Sequence, residues 1–262
     1  GGGDAGILNG NTNVKIDAST VNENVFGGGK GATAVVGGNT ITYIENSTIS
    51  NSSGSTDYGN VFGGGDAGEV TGDTTIEIIS STVQNAVYGG GNQADVTGNT
   101  SVALSDGSTA NIVYGGGNAG GVYGSGRVRG DGITSSTIVS IDESTVTDTV
   151  YGGGNEGEVT GNTYVYSIDS TIANAIFGGG NQANVGSTIV TILNSTTTTT
   201  IEEEGEDPVE ETTVGFDGFT TKNVYGGGNQ GETTGSTTVT ISYAEIENRV
   251  YGGGNGADSQ TG

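Results

Sequence analysis

Nine times along the chain three glycines stand together, and six times an asparagine follows them, as in Tyr88-Gly89-Gly90-Gly91-Asn92. Glycine-rich turns cradle phosphates when a helix N-terminus follows. Gly152-Gly153-Gly154-Asn155-Glu156-Gly157 has the spacing of a dinucleotide loop, and so do the stretches opening at Gly1, Gly63, Gly115 and Gly226. No helical pattern follows any of them, and five matches in one chain point to a structural need. That need is either close approach of backbones or positive φ.

The residues after the glycines are Asn92, Asn118, Asn155, Asn181, Asn229 and Asn255, with Asp or Lys in the earliest copies. Calcium-binding β-rolls place Asp in such turns at nonapeptide spacing. Here the spacing is longer, the residue is mostly an amide, and Lys30 would repel a cation. The column reads as an Asn ladder that caps a turn by amide stacking. The acidic run carrying Glu202, Glu204 and Asp207 is a weak metal candidate, since charge runs are usually solvated. The expectation is no cofactor, with calcium the one ion the pattern allows.

An aromatic residue precedes the glycines in all eight copies: Phe26, Phe62, Tyr88, Tyr114, Tyr151, Phe177, Tyr225 and Tyr251. Two chemistries suit such a column, a platform on which sugars stack or a ladder of rings packed on one another. The ladder is the preferred reading, although each ring follows an inward aliphatic residue and should therefore point outward, so parity decides little between the two. A file of Thr (Thr20, Thr48, Thr82, Thr109, Thr145, Thr171 and Thr196) invites an ice-binding reading, but it is single rather than paired. Catalysis has little support. There is no His or Cys, the six basic residues are scattered, and no carboxylate pair stands out for glycoside hydrolysis.

These residues recur because the chain repeats. Successive triple glycines start 26, 36, 26, 26, 37, 26, 48 and 26 residues apart, so the unit is 26 residues with insertions in three copies. A fixed period of this size marks a stacked array. Within the unit, Thr12, Thr40, Thr74, Thr100, Thr137, Thr163, Thr188 and Thr237 open a segment with β-branched residues at every second place. That alternation is a strand with one buried face, and the Thr shares the buried parity. A second strand follows Ser-Thr-Val/Ile and is interrupted by Asn85, Asn111, Asn174 and Asn248, or by Asp148, where a bend is expected. A third short segment holds Val70, Val96, Val122, Val159 and Val185.

Three short strands per unit predict an all-β fold, a parallel β-helix (β-solenoid) of about eight coils forming one body over residues 1–262. The crossover preference of parallel strands makes it right-handed. A two-strand, amyloid-like solenoid is the nearest rival. The insertions, near 50–60, 121–132 and 196–221, are expected to leave through turns without disturbing the stack.

Composition limits the partners. The net charge of −24 repels nucleic acid and anionic lipid. No apolar run approaches the ~20 residues needed to cross a bilayer as a helix. Both ends of the sequence lie near the same phase of the unit, and no polar cap flanks either. The chain is therefore read as a slice of a longer solenoid or a subunit whose copies stack end to end.

The whole unit, Gly-Asn-Thr-x-Val-x-Ile to Val-Tyr-Gly-Gly-Gly-Asn, resembles the β-strand repeats of bacterial cell-surface and adhesin-like proteins. Tyr88 to Val96, Phe177 to Val185 and Tyr251 to Asp258 are similar to repeats of the curli amyloid subunit, although its regular Gln ladders are missing. The resemblance implies an extracellular or cell-surface, fibre-forming structural module that associates with itself. The alternative is a parallel β-helix that binds or cleaves carbohydrate, with a glycan or host surface as partner.

Overall fold

The computed structural model describes residues 2–51, 57–128, 134–195, 197–201, 209–213 and 220–256. The chain is a parallel β-solenoid, with no helix among the described residues. One sheet stacks eight strands, one per coil: Thr12–Asp17, Thr40–Glu45, Thr74–Ile79, Thr100–Ser105, Thr137–Asp142, Thr163–Ile168, Thr188–Leu193 and Thr237–Ser242. Each opens on the column Thr, and the register is unbroken, so Thr12 pairs Thr40 and Thr188 pairs Thr237. A one-residue slip would turn every inward Val and Ile to solvent, which is why the register holds.

The second sheet holds the less regular strands of the other long side. Its continuous members, such as Thr82–Tyr88 and Thr171–Phe177, break in other coils into pairs such as Thr145–Val146 and Thr149–Tyr151. The break falls at the Asn column, where the register shifts between Ala110 and Ile112. There Asn174 donates from Nδ2 to Asp148 Oδ1 at 3.0 Å, as the predicted bend requires.

The third side is slighter than the sequence pattern implies. It is a series of single isolated bridges, Leu8 to Val36 to Val70 to Val96 to Val122 to Val159, with a separate bridge from Val185 to Thr233. The residues on either side of each Val lie outside any strand, so only one residue per coil pairs.

Between the two sheets lies the main core of Val, Ile and Leu, including Ile44, Ile78, Val102, Leu104, Ile141 and Ile192. The third-side valines form their own buried column. Every inward position is Val, Ile or Leu except a few. Thr42 and Ser167 stand in the aliphatic columns, and their hydroxyls are buried without a hydrogen-bond partner.

The first sheet pairs in register across the insertions, and residues 52–56 of the first of them lie outside the described residues. Arg127–Val128 pairs antiparallel with Thr134–Ser135, and Thr197–Ile201 pairs antiparallel with Val209–Thr213. The Arg127 guanidinium reaches Asp73 at 2.7 Å. Burial pushes the Asp73 carboxyl up, but the Asn99 N–H and the Arg127 charge outweigh it and hold the group below its usual range.

Candidate stacking interface

Four side-chain columns run along the solenoid. The first is the Thr that opens each strand. Its hydroxyl crosses the coil and donates to the carbonyl of the first glycine of the triplet, from Thr12 to Gly27 through Thr237 to Gly252, at 2.5–2.7 Å in seven coils. Thr188 makes the same bond to Gly226. The glycine turn is thereby tied to the start of the first sheet.

The second column is aromatic. Phe26, Phe62, Tyr88, Tyr114, Tyr151, Phe177, Tyr225 and Tyr251 stack in one file, with centroids 4.5–5.1 Å apart and ring planes within 11°. Tyr114, Tyr151 and Phe177 form a buried cluster with Ala86 and Ala175, outside the main core. Phe62, Tyr114 and Phe177 are 3, 5 and 5% exposed, which leaves no open ring face in mid-ladder for a sugar. Burial, with the Glu156 charge, pushes the Tyr88 phenol up to about 12. Burial and Asp148 push Tyr151 to about 12, and burial raises Tyr114 further.

The third column is the amide ladder. Asn92 donates from Nδ2 to Asp66 Oδ1 at 2.8 Å. Asn118, Asn155, Asn181, Asn229 and Asn255 each donate to the preceding rung at 2.9 Å. The Tyr114 hydroxyl lies 3.5 Å from Asn155 Oδ1, so the two ladders run side by side. The earliest rungs are charged: Lys30 Nζ sits 3.7 Å from Asp4 Oδ1.

The fourth column was not legible as such. It is the corner between the two sheets, where Ala18, Asn46, Ser80, Asp106, Glu143, Asp169 and Tyr243 all have positive φ. At five of the seven the next residue is a Ser that donates its hydroxyl two residues back, as Ser47 does to Glu45 O, and Ser47 also accepts the Ser19 N–H. Asn or Asp at three of the seven positions was the available signal, and Ala, Ser, Glu and Tyr at the rest obscured it.

The glycines fill space that no side chain could share. A β-carbon on the first glycine of each of the first seven complete coils, Gly27 to Gly226, would overlap the carbonyl oxygen of the first glycine in the next coil. On the second glycine it would lie 2.5–2.9 Å from the backbone of the third glycine of that coil. Among the described residues no glycine of a triplet has positive φ. Of the two needs read from the sequence, close approach is therefore the operative one.

The first and last described coils are the least covered. At the C-terminal end Val250 and Tyr251 are 49% and 40% exposed, and a β-carbon on Gly252 or Gly253 meets nothing within 4 Å. At the N-terminal end Val14, Ile16 and Val21 are only partly covered.

Glu202, Glu204 and Asp207 lie outside the described residues. Among the described residues no group of three or more His, Cys, Asp or Glu stands together as a metal site, and no helix is long and apolar enough to cross a membrane. No protein-family model, curated protein or solved structure matches the chain.

Proposed function

We propose that the chain is a structural, non-enzymatic module whose coils stack end to end, as part of a secreted or cell-surface fibre or adhesin. The observation that carries this reading is the last glycine triplet. In seven earlier coils the first two glycines are demanded by the coil that follows. Gly252 and Gly253 keep the same identity although nothing in the described chain lies above them, and neither has the positive φ that would otherwise call for glycine. A coil of the same kind, stacked from another copy, would make the same demand on them.

The first and last described coils add support. Each presents unpaired strand edges and the end of an apolar core, which template further strands. A head-to-tail contact of this kind does not close on itself and so builds a filament. The repetition of every buried polar column fits scaffolding better than catalysis, which needs a unique constellation. The charge of −24 opposes contact between copies, so added salt should promote it.

Sedimentation and electron microscopy over concentration and salt test the reading. Rods lengthening with concentration are expected, with Gly252→Val remaining folded but unable to lengthen. A chain that stays monomeric at high concentration and high salt, with its terminal strands protected from hydrogen exchange, would overturn the proposal.

A further inference from the structure

The bend column of the second sheet changes character along the solenoid. In the earlier coils its amides are satisfied within the protein. Asn60 donates from Nδ2 to Asn24 Oδ1 at 3.2 Å, Asn85 to the Tyr58 carbonyl at 3.3 Å and Asn174 to Asp148 Oδ1 at 3.0 Å. Asn223 and Asn248 continue the column, and their side chains make no hydrogen bond among the described residues. With Glu247 and Arg249 they line a depression of about 480 Å³, and none of these four side chains is apolar.

A register shift gathers charge there. Thr221 pairs Ile246 and Asn223 pairs Arg249, so Lys222 stands opposite both Glu247 and Asn248. An extra residue of this kind re-aims the side chains beside it. Lys222, Glu247, Asn248 and Arg249 are all exposed. Lys222 lies in a coil with described coils on both sides, and Asn174, one coil earlier, is exposed as well. The depression therefore belongs to the flank of the solenoid and not to an end.

The cations at this place differ from the rest. Lys30 pairs with Asp4, Arg127 pairs with Asp73, and Lys15 sits 5.4 Å from the Tyr43 ring centroid. Lys222 and Arg249 have no ion pair among the described residues, although Glu247 stands opposite Lys222. Arg249 reaches only the Tyr251 hydroxyl, at 3.4 Å. In a chain of net charge −24 carboxylates are plentiful, so two cations on adjacent strands without one are an exception that a ligand's anion fits.

We infer that this depression binds an acidic glycan, through the carboxylate and hydroxyls of a uronic acid residue. The Arg249 guanidinium offers a planar fork matched to a carboxylate, and the Lys222 ammonium adds a second charge. The amides of Asn223 and Asn248 both donate and accept, and the Glu247 carboxylate accepts, which suits ring hydroxyls. Walls without an apolar side chain suit a ligand dense in hydroxyls better than a peptide. The site is independent of stacking, so either reading can fail without the other.

The test is titration of trigalacturonate into the chain at about 0.15 M salt, where the net charge is screened beyond about 8 Å. Calorimetry gives the affinity, and the side-chain amide resonances of Asn223 and Asn248 give the place. Maltotriose and inorganic sulfate are the probes that lack the charge and the hydroxyls. Trigalacturonate should shift those two amides and leave Asn118 and Asn155 unmoved. Maltotriose and sulfate should each bind at least about tenfold more weakly. Arg249→Gln and Lys222→Gln should each weaken trigalacturonate by about fivefold or more. Lys15→Gln removes the same charge elsewhere on the surface and should change binding by less than about twofold. The comparison of probes on the unaltered chain stands even where a variant fails to fold. Sulfate or maltotriose binding as tightly as trigalacturonate would overturn the inference, as would an equal loss from Lys15→Gln. Unmoved resonances of Asn223 and Asn248 at saturating trigalacturonate would overturn it too.

Discussion

Each coil turns two unlike corners. At the first, between the sheets, non-glycine residues such as Ser80, Glu143 and Tyr243 take positive φ, the conformation usually left to glycine. At the second, glycines fill three successive places in ordinary backbone conformations. The difference separates two reasons for glycine that are often treated as one. Positive φ costs an L-residue only ~1–2 kcal/mol, so a corner exposed to solvent tolerates Ala, Ser, Glu or Tyr. A β-carbon driven into the next coil's backbone has nowhere to go, so the buried corner tolerates none.

The sharpest way to break this comparison is to add a methyl group at the glycine corner. Gly89→Ala should destabilise the chain by at least about 3 kcal/mol, because the obstacle is a backbone carbonyl in a stack that cannot shift alone. Gly252→Ala, in the same column of the last described coil, should leave chemical denaturation of the monomer unchanged. Equal losses at both sites would mean that backbone conformation, not space, demands glycine.

Next in size is the tie that holds the glycine corner. Thr137→Val removes the donor to the Gly152 carbonyl and leaves that buried acceptor unpaired, a loss of about 1–3 kcal/mol by denaturant titration. Thr42→Val is the counterpart. Its hydroxyl has no partner, so the same change should stabilise by up to about 1 kcal/mol. If both variants lose stability alike, the cross-coil bond contributes nothing particular.

The ring ladder beside that corner predicts an alkaline limit. The phenols of Tyr88 and Tyr151 are raised from 10.0 to about 12 in the folded chain. A raised phenol favours the folded state fully while the pH is below the unfolded value near 10.0, and that advantage fades as pH climbs toward about 12. Tyrosinate absorbance and β-sheet circular dichroism should therefore change together in that window. Phenols titrating near 10.0 with the sheets intact would show that the rings are open to water.

The smallest effect belongs to the exposed corner. Glu143→Gly relieves an unfavourable φ at an exposed site and should raise stability by up to about 1 kcal/mol. A loss in the melting experiment would indicate that the glutamate has a contact that offsets its strain.

Much of the coil was legible because its signals are local and repeated. The alternation after Thr74 or Thr163 names the inward residues directly, and the 26-residue spacing brings like residue over like. On the third side the pattern predicts a strand and the structure has one bridge per coil, because the neighbours of each Val lie outside any strand. The exposed corner was missed because Ala18, Ser80, Glu143 and Tyr243 carry no common chemistry; their shared conformation comes from the turn itself.

What the sequence determined by itself was the parallel solenoid, the identity of each ladder and the parity of each strand. These follow from period 2 within strands and from a repeat that places each residue type above itself. What only the tertiary structure decided was why the glycines are there, how far the rings are covered, and which way the amide ladder points. Those depend on contacts between residues at least one coil apart. A backbone oxygen above Gly89, the neighbouring rings around Tyr114 and the carboxylate of Asp66 beneath Asn92 are set by stacking, and no stretch of one coil contains them.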